Sequence, residues 1–161
     1  MNHTVVALVE DKPGVLERIA SQFRRRSFNI VSVSAGRTAP GMSCITVVVD
    51  SEKALVDRVI ASISKLVNVL QVEDLGDRSS VARDLVLVKV GSSHRPAVQR
   101  IVDEGRGRLI DSGEQTVSVE ITGTSEELDK AIRELEGLGI IEMVRTGAIA
   151  LARGDDTISR Q

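Results

Sequence analysis

A length of 161 residues with 42% apolar content allows one or two domains with hydrophobic cores of their own. The net charge is only −2, from 21 basic and 23 acidic side chains, so nothing favours binding to a polyanion such as a nucleic acid. The chain has two Phe and no Tyr or Trp, which argues against aromatic stacking platforms for RNA bases, and no apolar run approaches the ~20 residues that span a bilayer.

The first half of the chain alternates strand-like and helix-like patterns in the order βαββαβ. Val-rich runs predict the strands, and apolar residues recurring at steps of three and four predict the helices. The predicted strands are 3–9, 30–36, 42–49 and 66–75, and the two helices begin near Pro13 and Ser51. This order is that of the ferredoxin-like α+β fold.

The turn between the first strand and the first helix is the stretch with the most distinctive chemistry. Asp11 is a candidate N-cap, and Pro13 suits a first helical position because its missing N–H costs nothing there. The first helical amides carry the positive end of the dipole, and Gly14 has no side chain to keep a small anion away from them. Asn29, at the start of the next strand, has an amide that both donates and accepts.

Two interpretations of this stretch follow from the residues alone. In the first, the helix start and Asn29 together hold the carboxylate and the ammonium of a free amino acid. In the second, Pro13-Gly14 is only a sharp helix start and Asn29 only a turn residue. Spacing does not separate the two.

The second half of the chain predicts the same βαββαβ order again. A small, polar stretch around Asp77 to Ser80 is typical of a linker between domains. The predicted strands that follow are 84–90, 108–111, 116–122 and 140–144, with helices over 96–104 and from Ser125. A short segment, 148–152, and a polar tail complete the chain. We therefore expect two ferredoxin-like domains, 1–76 and 84–161, joined by a linker over 77–83.

The sequence also bears on compartment and on catalysis. The one cysteine, Cys44, cannot form an intramolecular disulfide and lies in an apolar run, which predicts a buried strand residue in a reducing compartment. The polar N-terminus has no signal-peptide pattern, so we expect a cytoplasmic protein. No activated nucleophile, paired acid and base or metal-ligand spacing is present, and we expect no catalysis by this chain alone.

Several stretches resemble blocks of one protein family, in order along nearly the whole chain. Residues 10–16 and 28–30 resemble the start of an ACT domain, an amino-acid-sensing module. Residues 65–70, 83–90, 121–124 and 145–155 resemble later blocks of the regulatory small subunit of acetohydroxyacid synthase (acetolactate synthase). This coverage is far more specific than the ACT motif alone.

The resemblance implies a regulatory role in branched-chain amino-acid biosynthesis. The chain is expected to bind the catalytic large subunit, to raise its activity and to confer feedback inhibition by valine. Thiamine diphosphate, FAD and Mg²⁺ are then expected in the catalytic partner and not in this chain. A side-by-side homodimer through the ACT domains would place effector sites between subunits. The implied effector-binding residues are Asp11, Pro13, Gly14, Val15, Leu16, Asn29 and Ile30.

One departure from the family and one alternative function stay open at this point, whereas an enzymatic alternative is rejected. Many family members have Asn where this chain has Asp11, and a carboxylate there attracts an effector's ammonium but repels its carboxylate. An acylphosphatase with the same fold is disfavoured, because its phosphate loop needs Arg where this chain has acids. A freestanding ACT-type sensor of another enzyme, or a transcription regulator, is the alternative function. The block over 145–155 favours the small subunit.

Overall fold

The computed structural model describes residues 2–76 and 79–158 and divides the chain into two compact units. The first unit combines the residues up to Ala82 with those from Gly147 onward, and the second spans Arg83–Thr146. The sequence-based division into 1–76, 77–83 and 84–161 instead places the C-terminal segment in the second domain. By contacts, the C-terminal segment groups with the N-terminal unit.

The first unit contains one four-stranded antiparallel sheet, with two helices in the connections. The elements are β1 (Asn2–Glu10), α1 (Val15–Arg24), β2 (Asn29–Ala39), β3 (Met42–Asp50), α2 (Lys53–Ile63) and β4 (Val69–Asp74). The strand order is β2-β3-β1-β4, so β3 and β1 are central and β2 and β4 are the two edge strands among the described residues. This is the predicted ferredoxin-like arrangement.

The second unit repeats the same topology. Its elements are β5 (Ser80–Gly91), which begins in the first unit, α3 (Arg95–Asp103) after a 3₁₀ turn (Ser92–His94), β6 (Arg108–Ser112), β7 (Thr116–Gly123), α4 (Ser125–Glu136) and β8 (Ile140–Arg145). The strand order β6-β7-β5-β8 matches that of the first sheet. The predicted fold class, two βαββαβ units in an α+β protein, is confirmed. Asp77 and Arg78, within the predicted linker, lie outside the described residues, and β5 already includes Ser80–Arg83.

Each unit has a core built from aliphatic residues between its helices and one face of its sheet. In α1 the residues at steps of four, Val15, Ile19 and Phe23, are almost fully buried. Phe23 meets Phe28 edge to face, with ring centroids 5.5 Å apart, so the two aromatic residues of the chain form one contact in this core. No helix in the described part of the chain is both long and apolar enough to cross a membrane.

Two blocks of the sequence resemblance meet in the second unit. Asp84 is only 4% exposed, and its carboxylate accepts hydrogen bonds from the guanidinium of Arg145 and from the hydroxyl of Ser125. Arg145 also pairs with Asp129 on α4. Burial lowers the pKa of Arg145, but the hydrogen bonds that its guanidinium donates to Asp129 and Asp84 outweigh this effect, so its pKa is raised. This network ties β5, β8 and the start of α4 together.

The starts of the helices differ from the sequence prediction in two places. Asp11 is not the N-cap of α1 and Pro13 is not its first residue, because the cap is Gly14 with a φ of +81°, a left-handed conformation that favours glycine. The N-cap of α2 is Glu52 and not Ser51. By contrast, α4 begins at Ser125 as predicted, with Thr124 and Glu127 forming a capping box.

The C-terminal segment forms one further strand, which belongs to the same five-stranded sheet as β5. The strand β9 (Ile149–Ala152) pairs with β5 and lies next to β1, on the face opposite the helices. Val6 and Leu8 of β1 point to that face, yet they are only 1% and 7% exposed. Gly147, with a φ of +80°, lies so close to Ser32 of β2 that a Cβ there would be 2.5 Å from the Cβ of Ser32.

We expect Gly147→Ala to destabilise the chain by about 2–3 kcal/mol, because it adds left-handed strain and a close contact to Ser32. Gly154→Ala is the matched control, since Gly154 has a φ of +72° with no described atom within 4 Å of a Cβ built there. It should cost only the strain, about 1 kcal/mol. The measurement is urea unfolding at one protein concentration. In a Ser32→Gly background the excess cost of Gly147→Ala should disappear, and an unchanged excess would contradict this packing.

Candidate functional site

The loop between β1 and α1 is held in place by backbone hydrogen bonds on two sides. The Asp11 amide donates to the carbonyl of Gly41, in the turn between β2 and β3, at 2.8 Å. The Glu10 amide donates to the carbonyl of Asn68, just before β4, at 2.8 Å. Backbone hydrogen bonds alone therefore fix the loop relative to the β2–β3 turn and to the start of β4.

Asn68 connects three elements through its side chain. Its Nδ2 donates to Glu10 Oε2 at 2.7 Å, and its Oδ1 accepts from Arg18 Nη2 at 3.0 Å. Its φ of +74° is in the left-handed region, where Asn is tolerated better than most residues. This conformation delays the start of β4 to Val69, three residues later than the sequence predicts. Asn68 thus joins the end of β1, the exposed face of α1 and the start of β4.

A groove of about 320 Å³ opens between this loop, the first turn of α1 and the strands β2 and β3. Its apolar wall is formed by Val9, Val15, Leu16, Ala35 and Ile45. Its polar rim is formed by Glu10, Asp11, Lys12, Arg37 and Ser43. A second opening of about 490 Å³ adjoins it and shares Asp11 and Arg37 with it. The groove combines a branched aliphatic lining with charges of both signs.

Asp11 and Arg37 form an ion pair at the boundary between the two openings. Arg37 Nε donates to Asp11 Oδ2 at 2.8 Å, and the Arg37 side chain is 85% exposed. An ion pair as exposed as this one contributes little to stability, because water and salt screen it. The pair therefore places one positive and one negative charge at this boundary but adds little to the stability of the loop.

The structure brings together only some of the predicted site residues. Asp11, Val15 and Leu16 line the groove, whereas Pro13 and Gly14 form the turn beside it. A Cβ on Gly14 would have Arg18 Nη1 as its nearest neighbour at 3.9 Å, so there is space for a side chain despite the left-handed φ. Leu16 is 44% exposed and is the apolar residue of α1 that faces outward.

Asn29 and Ile30 lie at the opposite end of the sheet from the groove. β3 pairs with both neighbours, and its Asp50 lies opposite Asn29 of β2, whereas its Met42 lies opposite Glu10 of β1. Asp50 and Met42 are eight residues apart, which corresponds to about 26 Å along a strand. Within one protomer, Asn29 therefore cannot contact a ligand in the groove.

Ile30 does not reach the groove from its own protomer for a further reason. It packs, partly buried, against the core of the first unit. Within one chain the seven predicted residues therefore lie in two separate groups, and the prediction that they form one effector site requires residues from two chains and stays a prediction. The cause of the separation is the length of β2, whose eleven residues carry Asn29 and Ile30 to the far end of the sheet.

Two residues at this site were not predicted from the sequence. Arg37 is separated from Asp11 by 26 positions, and only the register of β2 against β3 brings the two together. Asn68 lies 58 positions from Glu10 and carries no local motif beyond the tendency of Asn to adopt positive φ. Cys44 lies in β3 as predicted and is half-buried, and burial raises the pKa of its thiol, which makes it a poor nucleophile.

Comparison with protein families gives matches to both units. A family described as the small subunit of acetolactate synthase matches residues 83–154. A family described as the AHAS small subunit-like ACT domain matches residues 6–71. The second match includes the β1–α1 loop and most of the groove.

Individual proteins similar to this chain cover almost its whole length. The acetolactate synthase small subunit of Mycolicibacterium smegmatis is 37% identical over 155 residues, covering 94% of this chain and 91% of the relative. That of Mycobacterium bovis is 39% identical over 155 residues, covering 94% and 92%. The crystal structure of the acetolactate synthase small subunit from Thermotoga maritima has a TM-score of 0.87 at 30% identity, covering 97% of this chain and 99% of that one.

The Asn68 network gives a stability prediction. Asn68→Ala removes two side-chain hydrogen bonds and leaves alanine strained in the left-handed region at a φ of +74°. We therefore expect the free energy of unfolding to fall by about 2 kcal/mol. Asn68→Gly removes the same hydrogen bonds, but glycine adopts the left-handed backbone conformation without strain. We therefore expect the free energy of unfolding to fall by only about 1 kcal/mol. Urea unfolding measures both. Equal losses would show that the backbone conformation carries no strain, and no loss in either would show that the network does not hold the loop.

Proposed function

This chain belongs to the acetolactate synthase small-subunit family, and from that premise we propose that it binds the catalytic large subunit of that enzyme and regulates it. Binding raises the activity of the large subunit, and the bound complex is inhibited by a branched-chain amino acid, valine first. Thiamine diphosphate, FAD and Mg²⁺ belong to the large subunit, where the chemistry takes place. The small subunit acts in the cytoplasm without catalysing the reaction.

The observation that carries the regulatory proposal is the groove beside the start of α1. Its volume of about 320 Å³ is at the small end of ligand pockets, which suits a single amino acid. The amides of the first turn of α1 and the helix dipole give this end of the groove a positive potential, which favours an anionic ligand. Leu16, which is 44% exposed, offers an apolar surface to a branched side chain, and the almost fully buried Val15 and Ile45 line the groove beside it.

The outermost strand of the first sheet supports a homodimer. Val31 and Val33 of β2 are 56% and 38% exposed, and an exposed apolar edge strand is a site for pairing with another chain. In an antiparallel pairing of β2 with a second copy, centred on Val33, Asn29 of the partner subunit faces Arg37. This arrangement reunites the two parts of the predicted site across the subunit boundary. The effector then lies between two chains.

The test uses the full chain with the catalytic large subunit of the same organism. We expect the wild-type chain to raise acetolactate synthase activity and to make it sensitive to valine. Gly14→Asp adds a carboxylate at the helix start, and Asn29→Ala removes the polar group supplied across the dimer. Both variants should still activate the large subunit, while inhibition by valine should weaken at least tenfold.

Gly105→Asp is the matched control, because Gly105 is also a left-handed glycine with open space but lies in the second unit. It should keep both activation and inhibition. Circular dichroism and sedimentation verify that each variant is folded and dimeric. Folded variants that stay fully sensitive to valine would rule out this effector site. Failure of the wild-type chain to activate the large subunit would instead favour a freestanding amino-acid sensor.

A further inference from the structure

The ion pair between Asp11 and Arg37 has the same two charges as an amino-acid zwitterion, in complementary positions. Arg37 Nε and Asp11 Oδ2 are 2.8 Å apart at the rim of the groove. A free amino acid carries an ammonium that complements Asp11 and a carboxylate that complements Arg37. We infer that the effector binds by exchange, replacing the one Asp11–Arg37 ion pair with two new ones. The inference rests on the proposed effector site and adds the groups that select its ligand.

The surroundings of Arg37 permit this exchange. Its side chain is 85% exposed in a single chain, so no packing interaction within that chain has to be broken when the guanidinium moves. The opening of about 490 Å³ beside it is lined by Arg37 and by the turn over 38–41, and it gives the guanidinium room to rotate away from Asp11. The Asp11 side chain is 37% exposed and accessible from the groove. The backbone of Asp11 stays fixed, since its amide is bonded to Gly41.

The other charged groups of the rim are less suited to these roles. The Glu10 carboxylate already accepts a hydrogen bond from Asn68 Nδ2 at 2.7 Å. Lys12 lines the groove, but its ammonium is a point charge without the flat fork that binds a carboxylate through two parallel hydrogen bonds. Arg37 has that geometry. Asp11 and Arg37 are therefore the pair that addresses both ends of the zwitterion.

Exchange explains a selectivity that an apolar groove alone does not provide. An amino acid leaves Asp11 and Arg37 each with a partner of opposite charge, so the charge balance of the site is preserved. A 2-oxo or 2-hydroxy acid with the same side chain engages Arg37 but leaves Asp11 without its partner. An amino-acid amide or a simple amine engages Asp11 through its ammonium but leaves Arg37 without a partner of opposite charge. Binding of such an analogue breaks the Asp11–Arg37 ion pair and forms only one new ion pair in return. The groove therefore binds the amino acid more tightly than the corresponding oxo acid.

The experiment is calorimetric titration of the full chain with three ligands that share one side chain. These are L-valine, L-valinamide, which lacks the carboxylate, and 2-hydroxyisovalerate, which lacks the ammonium. The wild-type chain should bind valine at least tenfold more tightly than either analogue. Arg37→Gln should weaken valine binding at least tenfold and change valinamide binding by less than threefold. Lys12→Gln, which removes the same charge from the same rim, should change valine binding by less than threefold.

Each other outcome overturns the inference. Valine binding that Arg37→Gln leaves unchanged removes Arg37 from the site but leaves the proposed function in place. Equal weakening of valine and valinamide shows that Arg37 acts on the loop and not on the carboxylate. Equal effects of Arg37→Gln and Lys12→Gln show a general effect of charge. A wild-type chain that binds none of the three ligands contradicts both the exchange and the proposed effector site.

Discussion

The register of β3 against its two neighbours is the constraint on which the account of this site depends. Because β3 pairs along its whole length with both β1 and β2, the β1–α1 loop is placed at one end of the sheet and Asn29 at the other. No side-chain motion spans about 26 Å of strand. In the proposed effector site, the groove at the helix start is consequently incomplete in one protomer, and a homodimer through the exposed edge of β2 would complete it.

The local environment of the groove follows from interactions between residues far apart in sequence. Asn68 and Gly41 hold the backbone of the loop, so the charged rim is presented on a fixed frame. The Asp11–Arg37 pair is exposed and weak, which suits a group that must exchange partners when a ligand arrives. A fixed loop backbone that presents an ion pair able to exchange partners suits the recognition of small zwitterions. In the proposed exchange, recognition depends on charge, and affinity depends on the aliphatic wall of the groove.

Local patterns were enough to predict the fold, because the alternation of Val-rich strands and the three- and four-residue spacing of Val15, Ile19 and Phe23 depend only on nearby residues. The details of the site were harder. Asp is a common N-cap residue, but Gly14 caps α1 in place of Asp11. Asp11 pairs instead with Arg37, which only the strand register brings close to it. The grouping of Gly147 with the first sheet also has no local signal, since it rests on a contact with Ser32.

The most direct test of the two-chain site is to combine two inactive variants in one dimer. Chains with Gly14→Asp and chains with Asn29→Ala are given different tags, co-expressed and purified through both tags, and valine binding is measured by calorimetry. If each site takes its loop from one chain and Asn29 from the other, the mixed dimer has one doubly altered site and one intact site. The account predicts about half the wild-type number of sites, at wild-type affinity. Mixed dimers that bind no better than either variant alone would contradict it.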